Sequence, residues 1–74
     1  MQIYAKTMDG KTIAIEIENN TTIRDIKKGI QEKLGYHPDE QKLVFLGAIL
    51  EDDKTASESQ ICEKSVINVV VRQR

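Results

Sequence analysis

The spacing of apolar side chains changes early in the chain, and this change restricts the fold more than any other feature of the sequence. Residues 2–7 alternate between apolar and polar, with Ile3 and Ala5 on one face, and residues 12–17 alternate in the same manner. Asp9-Gly10 separates the two segments and is typical of a tight turn. The two segments are therefore predicted to be strands of a β-hairpin.

The next segment has the period of an amphipathic helix instead. Its apolar stripe is formed by residues three or four positions apart: Ile23, Ile26, Ile30 and Leu34. Thr22 is a suitable N-cap because its hydroxyl can accept a bond from a first-turn amide, and Gly35 can adopt the left-handed conformation that ends a helix. Pro38 lacks a backbone donor and prevents simple continuation. The sequence therefore predicts one helix between these signals.

The second half of the chain contains further strand patterns. These are an apolar strand at residues 42–46, a turn at Gly47, a short partner strand at Ile49-Leu50, a helical turn at 55–60 and a β-branched strand at 65–72. A hairpin followed by a helix buries both apolar faces most simply when the helix lies across one face of a mixed sheet. The predicted fold class is thus α+β, a β-grasp arrangement, in a single domain over residues 1–74.

Composition excludes several classes of function. The 74 residues include 11 basic and 12 acidic side chains, which gives a net charge of −1. The chain therefore lacks a long-range positive electrostatic field that would attract nucleic acid or an anionic membrane. No apolar run approaches the ~18 residues of a membrane span, and the N-terminus lacks a secretory pattern. Cys62 is the one cysteine and cannot form an intramolecular disulfide, which favours a cytoplasmic or nuclear location.

Residues that could support catalysis or bind a metal are few. One histidine, His37, and one cysteine, Cys62, lie far apart in the sequence, without a nucleophile elbow or a glycine-rich phosphate loop. Neither has a second histidine or cysteine at the spacing of a metal site. We therefore expect no enzymatic activity, no metal and no cofactor, with His37 in a loop and Cys62 packed or idle near the last loop.

Two of the predicted strands carry apolar residues that cannot all be buried. Consecutive side chains point to opposite faces of a strand, so some of Leu43-Val44-Phe45-Leu46 must face outward. On the last strand, Asn68 and Val70 lie on the open face if their odd-numbered neighbours pack under the helix. Val44 and Val70 are the outward candidates, on strands expected to pair. Met8, in the first turn, is a flexible apolar residue expected to be exposed.

These outward residues have two interpretations. They are scattered surface apolar side chains, which are common, or they form a contiguous apolar patch with a basic rim from Lys6, Lys42 and Arg72, which is typical of protein-binding sites. A few hundred Å² of apolar area at ~25 cal/mol/Å² gives on the order of 5 to 10 kcal/mol before association entropy is subtracted. The second interpretation therefore predicts micromolar or weaker binding.

Short runs and single residues along almost the whole chain form a recognisable set: Met1-Gln2-Ile3, Lys6-Thr7, Gly10-Lys11-Thr12-Ile13, Lys27, Ile30-Gln31, Lys33, Gly35, Pro38-Asp39, Leu43, Phe45, Gly47, Leu50-Glu51-Asp52, Thr55, Ser57, Ile61, Ser65 and Val70. With these residues the chain resembles, without gaps, the ubiquitin family. The resemblance implies the β-grasp fold and a main recognition surface at Met8, Val44, Asn68 and Val70. It also implies ubiquitin-binding domains, proteasome receptors or conjugation-machinery proteins as partners of a monomer.

Departures from the family pattern bear on mechanism. Asn68 stands where the family usually has a histidine, which keeps hydrogen bonding and loses a titratable ring. Ala48 and Glu63 occupy the two most familiar chain-building lysine positions, so those linkages are excluded there. Lysines that remain as acceptor candidates are Lys6, Lys11, Lys27 and Lys33. Their simpler interpretation is solvated charge, and for Lys27 an ion pair with Asp52.

The last three residues give mixed indications under the same resemblance. A ubiquitin-type modifier ends in Gly-Gly, whereas this sequence stops at Arg74, so conjugation by the family's route requires residues beyond it. Arg72 and Arg74 match the family pattern and could contact an acidic groove of an activating enzyme. Gln73 replaces an apolar residue of the family's tail.

Three hypotheses about function remain open. The first, which we favour, is a non-covalent docking domain recognised by ubiquitin-pathway proteins through the sheet-face patch. The second is a covalent modifier whose terminal glycines are absent from this sequence. The third is a β-grasp interaction scaffold outside the ubiquitin pathway.

Overall fold

The computed structural model describes residues 1–71 of the chain. Alternating side chains form the first two strands, β1 (Gln2–Thr7) and β2 (Thr12–Glu16), which pair antiparallel as the predicted hairpin. The turn between them contains Gly10 at φ 91°, a left-handed conformation that glycine adopts without steric cost. The remaining strands are β3 (Gln41–Phe45), β4 (Ala48–Ile49) and β5 (Val66–Val71).

The five strands form one mixed sheet in the order β2-β1-β5-β3-β4. β1 and β5 run parallel at its centre, and every other neighbouring pair is antiparallel. The last strand is therefore placed between the first hairpin and β3. This arrangement confirms the predicted α+β, β-grasp fold class.

Residues 1–71 contain one α-helix, α1 (Ile23–Leu34), which begins and ends at the predicted signals. Thr22 is extended (φ −80°, ψ 159°), and its hydroxyl accepts a hydrogen bond of 3.2 Å from the backbone N–H of Asp25. Gly35 has φ 83°, and its N–H donates to the carbonyl of Gln31 at 2.7 Å. A 3₁₀ helix (Pro38–Glu40) then leads into β3.

The hydrophobic core lies between α1 and one face of the sheet. Its largest fully buried side chains come from the helix and from three strands: Ile3, Ile23, Ile26, Ile30, Leu43, Ile67 and Val69. The helix covers this face alone, so the opposite face of the sheet is left to carry side chains toward solvent.

Several predicted strand limits are wrong by one residue. β2 ends at Glu16 although Ile17 is buried, and β3 ends at Phe45 because Leu46 (φ 52°) and Gly47 (φ 80°) turn the chain. β4 consequently begins and ends one residue earlier than predicted, and β5 begins at Val66. Arg72, the predicted end of the last strand, lies outside the described residues.

The predicted helical turn at residues 55–60 is a single turn that does not continue as a helix. The N–H of Ser59 donates to the carbonyl of Thr55 at 3.0 Å. Thr55 and Glu58 form two reciprocal hydrogen bonds. The hydroxyl of Thr55 accepts from the N–H of Glu58, and the Glu58 carboxylate accepts from the N–H of Thr55. Gln60 (φ 61°) then reverses the chain, which ends the turn.

Candidate functional site

The open face of the sheet brings together side chains from several strands in one row. In the strand registers, Lys6 of β1 lies beside Asn68 of β5, Asn68 lies opposite Val44 of β3, and Val44 lies opposite Ile49 of β4. Directly paired residues project from the same face of a sheet. Lys6 and Asn68 are exposed, whereas Val44 is half-buried.

A second row lies next to the first. Val70 of β5 pairs with Lys42 of β3, so the two valines, Val44 and Val70, are diagonal neighbours across the β3–β5 ladder. Val70 is half-buried and Lys42 is exposed. An apolar pair is thus bordered by two ammonium groups, Lys6 and Lys42, on a surface that the helix does not cover.

Met8 lies in the β1–β2 turn with 75% of its surface exposed. The turn is held by Thr7, whose hydroxyl donates to the Asp9 carboxylate and accepts from the N–H of Lys11 at 3.1 Å. The Thr7 hydroxyl holds the pKa of Asp9 below its ordinary value, and the Lys11 ammonium, 3.8 Å from Asp9 Oδ2, lowers it further. Burial opposes this effect and raises the pKa.

A groove of about 360 Å³ opens beside Met8 and is lined by Thr7, Met8, Asp9, Tyr36, Val69 and Val71. Its walls combine the β1–β2 turn with the segment after α1. Thr7, Val69 and Val71 lie on the helix-facing side of the sheet, so the groove opens at the end of β1 and β5 and does not belong to the open face.

We call the set of predicted patch residues on the open face the docking patch: Met8, Val44, Asn68 and Val70 with Lys6 and Lys42. Strand registers bring five of the six into two adjacent rows, and Met8 lies in the turn that follows β1. Its role in recognition stays a prediction. The predicted tail residues Arg72, Gln73 and Arg74 lie outside the described residues.

Sequence reasoning did not single out two exposed apolar residues of the β3–β4 hairpin. Ile49 projects from β4 opposite Val44 and is 63% exposed, and Leu46, in the β3–β4 turn, is 83% exposed. The signal that could have found Ile49 is Gly47, because a two-residue turn that ends at this glycine pairs Phe45 with Ala48 and Val44 with Ile49, as observed.

The four lysines proposed as acceptors differ in accessibility. Lys6, Lys11 and Lys33 are exposed, and Lys11 is paired with Asp9. Lys27 is buried, and its ammonium lies 2.5 Å from Asp52 Oδ1. The structure therefore agrees with the ion-pair interpretation of Lys27 and argues against its use as an acceptor.

The two reactive residue types do not meet. His37 caps the 3₁₀ helix, its Nδ1 accepting from the N–H of Asp39 at 3.2 Å, and Cys62 is an exposed free thiol near the Ser65 hydroxyl. Among residues 1–71 no group of three or more histidine, cysteine or acidic side chains is arranged to hold a metal ion. Within the same range no helix has the length and apolar character needed to cross a membrane.

Comparisons with known proteins agree with this architecture. The model of the ubiquitin family matches residues 3–74. The chain is 42% identical over 74 residues to "Ubiquitin-like protein NEDD8" of Dictyostelium discoideum, an alignment that covers 100% of this chain and 96% of that protein. It is also 42% identical to "NEDD8-like protein RUB3" of Arabidopsis thaliana, covering 100% and 95%.

A longer relative matches through one part of its length. The chain is 33% identical over 76 aligned positions to "Probable ubiquitin receptor RAD23" of Oryza sativa subsp. japonica, covering 99% of this chain and 19% of that protein. Similarity thus extends both to proteins of about this length and to a segment of a larger one. On the family match over nearly its whole length, together with the β-grasp sheet and helix, the chain belongs to the ubiquitin family.

Proposed function

We propose that the chain is a ubiquitin-like domain that ubiquitin-pathway proteins recognise non-covalently through the docking patch. The observation that carries the proposal is the placement of Val44 and Val70 as half-buried diagonal neighbours on the open face, between Lys6 and Lys42. An apolar centre with a charged rim is typical of protein-binding surfaces. The proposal assigns recognition, and not catalysis, to this surface.

The size of the docking patch sets the expected strength of binding. Its apolar centre is two valines and a methionine, so it can bury only a small apolar area. At ~25 cal/mol/Å² such a gain is largely offset by the loss of translational and rotational freedom on association. Micromolar or weaker contacts with ubiquitin-binding domains or proteasome receptors follow, and the match to part of a probable ubiquitin receptor supports a docking role.

A titration monitored by backbone amide chemical shifts tests the proposal. Addition of a ubiquitin-binding domain should shift the amide signals around Val44 and Val70. Val44→Ala or Val70→Asp should weaken this binding, while the spectrum of each variant remains that of a folded domain. Val66→Thr is a matched control, because Val66 is also an exposed β5 residue (48%) but pairs with Tyr4 at the other end of the face. Unchanged binding by both patch variants would overturn the proposal and favour a scaffold outside the pathway.

A covalent modifier is the second candidate function. It is favoured by one observation, the alignment over 96% of the length of a ubiquitin-like protein, NEDD8. The test is to extend the chain by two glycines and incubate it with an activating enzyme and ATP. A thioester that forms would support the modifier, and its absence would leave the docking role as the better account.

We also propose a cytoplasmic or nuclear location for the chain, because its single cysteine, Cys62, is free and exposed. Fluorescence imaging of a tagged chain measures this directly. Accumulation in a secretory compartment would contradict it.

A further inference from the structure

The two edge strands of the sheet differ in length. β4 has two residues, whereas β2 at the other edge has five and pairs with β1 along its whole length without a bulge. An edge strand presents unpaired N–H and C=O groups, which can pair with another strand unless proline, a bulge or charged side chains prevent it. β2 contains no proline, and its one charged residue, Glu16, stands at its end. The edge at β2 is therefore open to pairing.

The β1–β2 ladder shows which groups of β2 point toward this edge. The N-terminal amine of Met1 donates to the carbonyl of Ile17 at 2.6 Å, and the N–H of Ile17 donates to the carbonyl of Met1 at 2.8 Å. Hydrogen-bonded pairs alternate with non-bonded pairs in an antiparallel ladder, so Thr12, Ala14 and Glu16 direct their backbone groups away from β1. Within residues 1–71 no other backbone segment hydrogen-bonds to these groups.

A glycine in the middle of α1 lies beside the same edge. An added Cβ at Gly29 would meet only Cγ2 of Ile15, at 3.8 Å, which is ordinary van der Waals contact. Gly29 lies within the helix and has no positive φ, so neither its backbone nor its packing requires glycine. Glycine is less stable than alanine in a helix interior. The fold of one copy therefore does not explain this residue.

Antiparallel pairing of β2 with β2 of a second copy, about a twofold axis at Ala14, satisfies the edge. Ala14 then forms a hydrogen-bonded pair with Ala14 of the second copy, and Thr12 forms one with Glu16. On the helix-covered face the same register places Ile13 of the second copy opposite Ile15, the residue that Gly29 approaches. The half-buried Ile13 side chain thus meets the space that Gly29 leaves.

The charges along the edge are compatible with this register. Glu16 has 77% of its side chain exposed. An axis at Ala14 keeps the two Glu16 carboxylates apart, because each lies opposite a Thr12. On its other side Thr12 is paired with Lys6, so each carboxylate shares a row with an ammonium-bearing residue of the other copy. Two strand spacings, roughly 10 Å, separate their backbones, a distance that two long side chains span.

We propose that two copies of the chain associate through β2 into one continuous antiparallel sheet, with Ile13 of each copy beside Gly29 of the other. The edges of five-residue strands bury less than the ~1,000 Å² that stable complexes need, so a dissociation constant of about 0.1–1 mM is expected and the dilute chain is a monomer. Val44 and Val70 lie on β3 and β5 and remain uncovered in this dimer. The dimer and the proposed function are therefore independent of each other.

Sedimentation and amide chemical shifts at protein concentrations of about 0.05–2 mM test the dimer. It should form in the upper part of this range, with shifts at Thr12, Ala14 and Glu16. Ala14→Lys places two ammonium groups opposite each other at the axis and should weaken the dimer at least threefold, roughly the cost of a like-charged pair. Ala48→Lys is the matched control, because Ala48 is an exposed alanine of the other edge strand, and it should leave the dimer unchanged.

Cysteine crosslinking tests the register. In a Cys62→Ser background, Ala14→Cys should give a disulfide-linked dimer on oxidation, because Cα atoms of a hydrogen-bonded pair are about 5.5 Å apart, within the range of a disulfide. Thr12→Cys alone should not, because its counterpart is Glu16 of the second copy. Efficient crosslinking of Thr12→Cys alone, as in a parallel pair, would overturn the register.

Gly29→Gln tests the contact beside the helix. The substitution should raise the unfolding temperature of the dilute chain, because glutamine is a better helix former than glycine. It should weaken the dimer at least threefold, because the new side chain takes the space of Ile13 from the second copy. A variant that dimerises as well as the parent would overturn the placement of Ile13 beside Gly29.

Three other outcomes would overturn the dimer itself. Ala14→Lys and Ala48→Lys could weaken it equally, which would show that the edge at β2 is not the interface. Concentration-dependent shifts confined to Val44 and Val70 would assign self-association to the open face instead. A chain that stays monomeric up to about 2 mM and binds an extended peptide at β2 would identify a strand of another protein as the occupant.

Discussion

The ammonium nitrogen of Lys27 lies 2.5 Å from Oδ1 of Asp52, and this contact joins the middle of α1 to the loop that follows β4. The Lys27 side chain is 9% exposed and that of Asp52 is 41% exposed, so the cation is the buried member of the pair. Arg24 approaches the same carboxylate, with Nη1 3.4 Å from Oδ2. A buried charge with one close carboxylate depends strongly on that partner.

Asp52→Asn is expected to lower the free energy of unfolding by roughly 1–3 kcal/mol, because it leaves the Lys27 ammonium buried without its counter-charge. The expected loss of unfolding free energy is smaller than for a fully buried ion pair because water reaches Asp52. Urea unfolding of both proteins measures the difference. Asp53→Asn, a change of the same kind at the exposed neighbouring residue, should stay within about 0.5 kcal/mol of the parent, and equal losses in the two variants would contradict the prediction.

Truncation of two isoleucines should lower the free energy of unfolding by very different amounts. Ile30→Ala removes a fully buried side chain of α1 and is expected to cost about 2–5 kcal/mol of unfolding free energy. Ile49→Ala makes the same chemical change at an exposed site, so its cost should stay below about 1 kcal/mol. Thermal unfolding of the two variants checks this, and a large loss at Ile49 would show that it supports the fold rather than a partner.

Leu46→Asn is expected to stabilise the domain by about 1 kcal/mol, since asparagine tolerates the left-handed conformation better than leucine does. Gly47, at φ 80°, should show the converse: Gly47→Ala places a Cβ in a strained backbone conformation and is expected to destabilise. Guanidinium unfolding at one pH measures both. A destabilised Leu46→Asn variant would mean that Leu46 makes contacts that its exposure does not show.

Acid should destabilise the domain through two carboxylates with lowered pKa values. The backbone N–H and then the hydroxyl of Thr55 hold the pKa of Glu58 below its ordinary 4.5, and the Thr7 hydroxyl, followed by Lys11, holds that of Asp9 below 3.8. Because each native pKa is below the unfolded one, the unfolded chain binds more protons in this range. Their stabilisation is therefore present above the ordinary values and is lost as the pH falls through the native ones.

The measurement is the free energy of unfolding between about pH 5 and pH 2. Glu58→Gln and Asp9→Asn should each flatten the dependence on the acid side. A slope equal to that of the parent in the double variant would contradict the assignment of acid sensitivity to these two groups.

Much of the fold follows from local sequence patterns. Alternation in residues 2–7, the stripe that starts at Ile23, and the caps Thr22 and Gly35 each depend on neighbours within a few positions. The same is true of the exposed turn at Met8. Alternation along the strand also predicted that Val44 faces away from Leu43, and the resemblance to the ubiquitin family implied a recognition surface at the same residue.

Strand limits at the β3–β4 turn were missed for a physical reason. Leu46 continues the apolar run of β3, so its side chain looks like part of a strand, whereas its backbone is left-handed. A leucine carries no local signal for that conformation, which the pairing of Phe45 with Ala48 imposes.

The sequence by itself determined the helix, the strands and the outward direction of Val44 and Val70. Only the tertiary structure decided that Ile49 lies opposite Val44 and that Lys6 shares a row with Asn68, 62 positions later in the chain. Side-chain periodicity assigns a residue to a face, but the choice and register of neighbouring strands depend on long-range pairing and on burial of a common core. The composition of the docking patch is therefore a property of the assembled sheet.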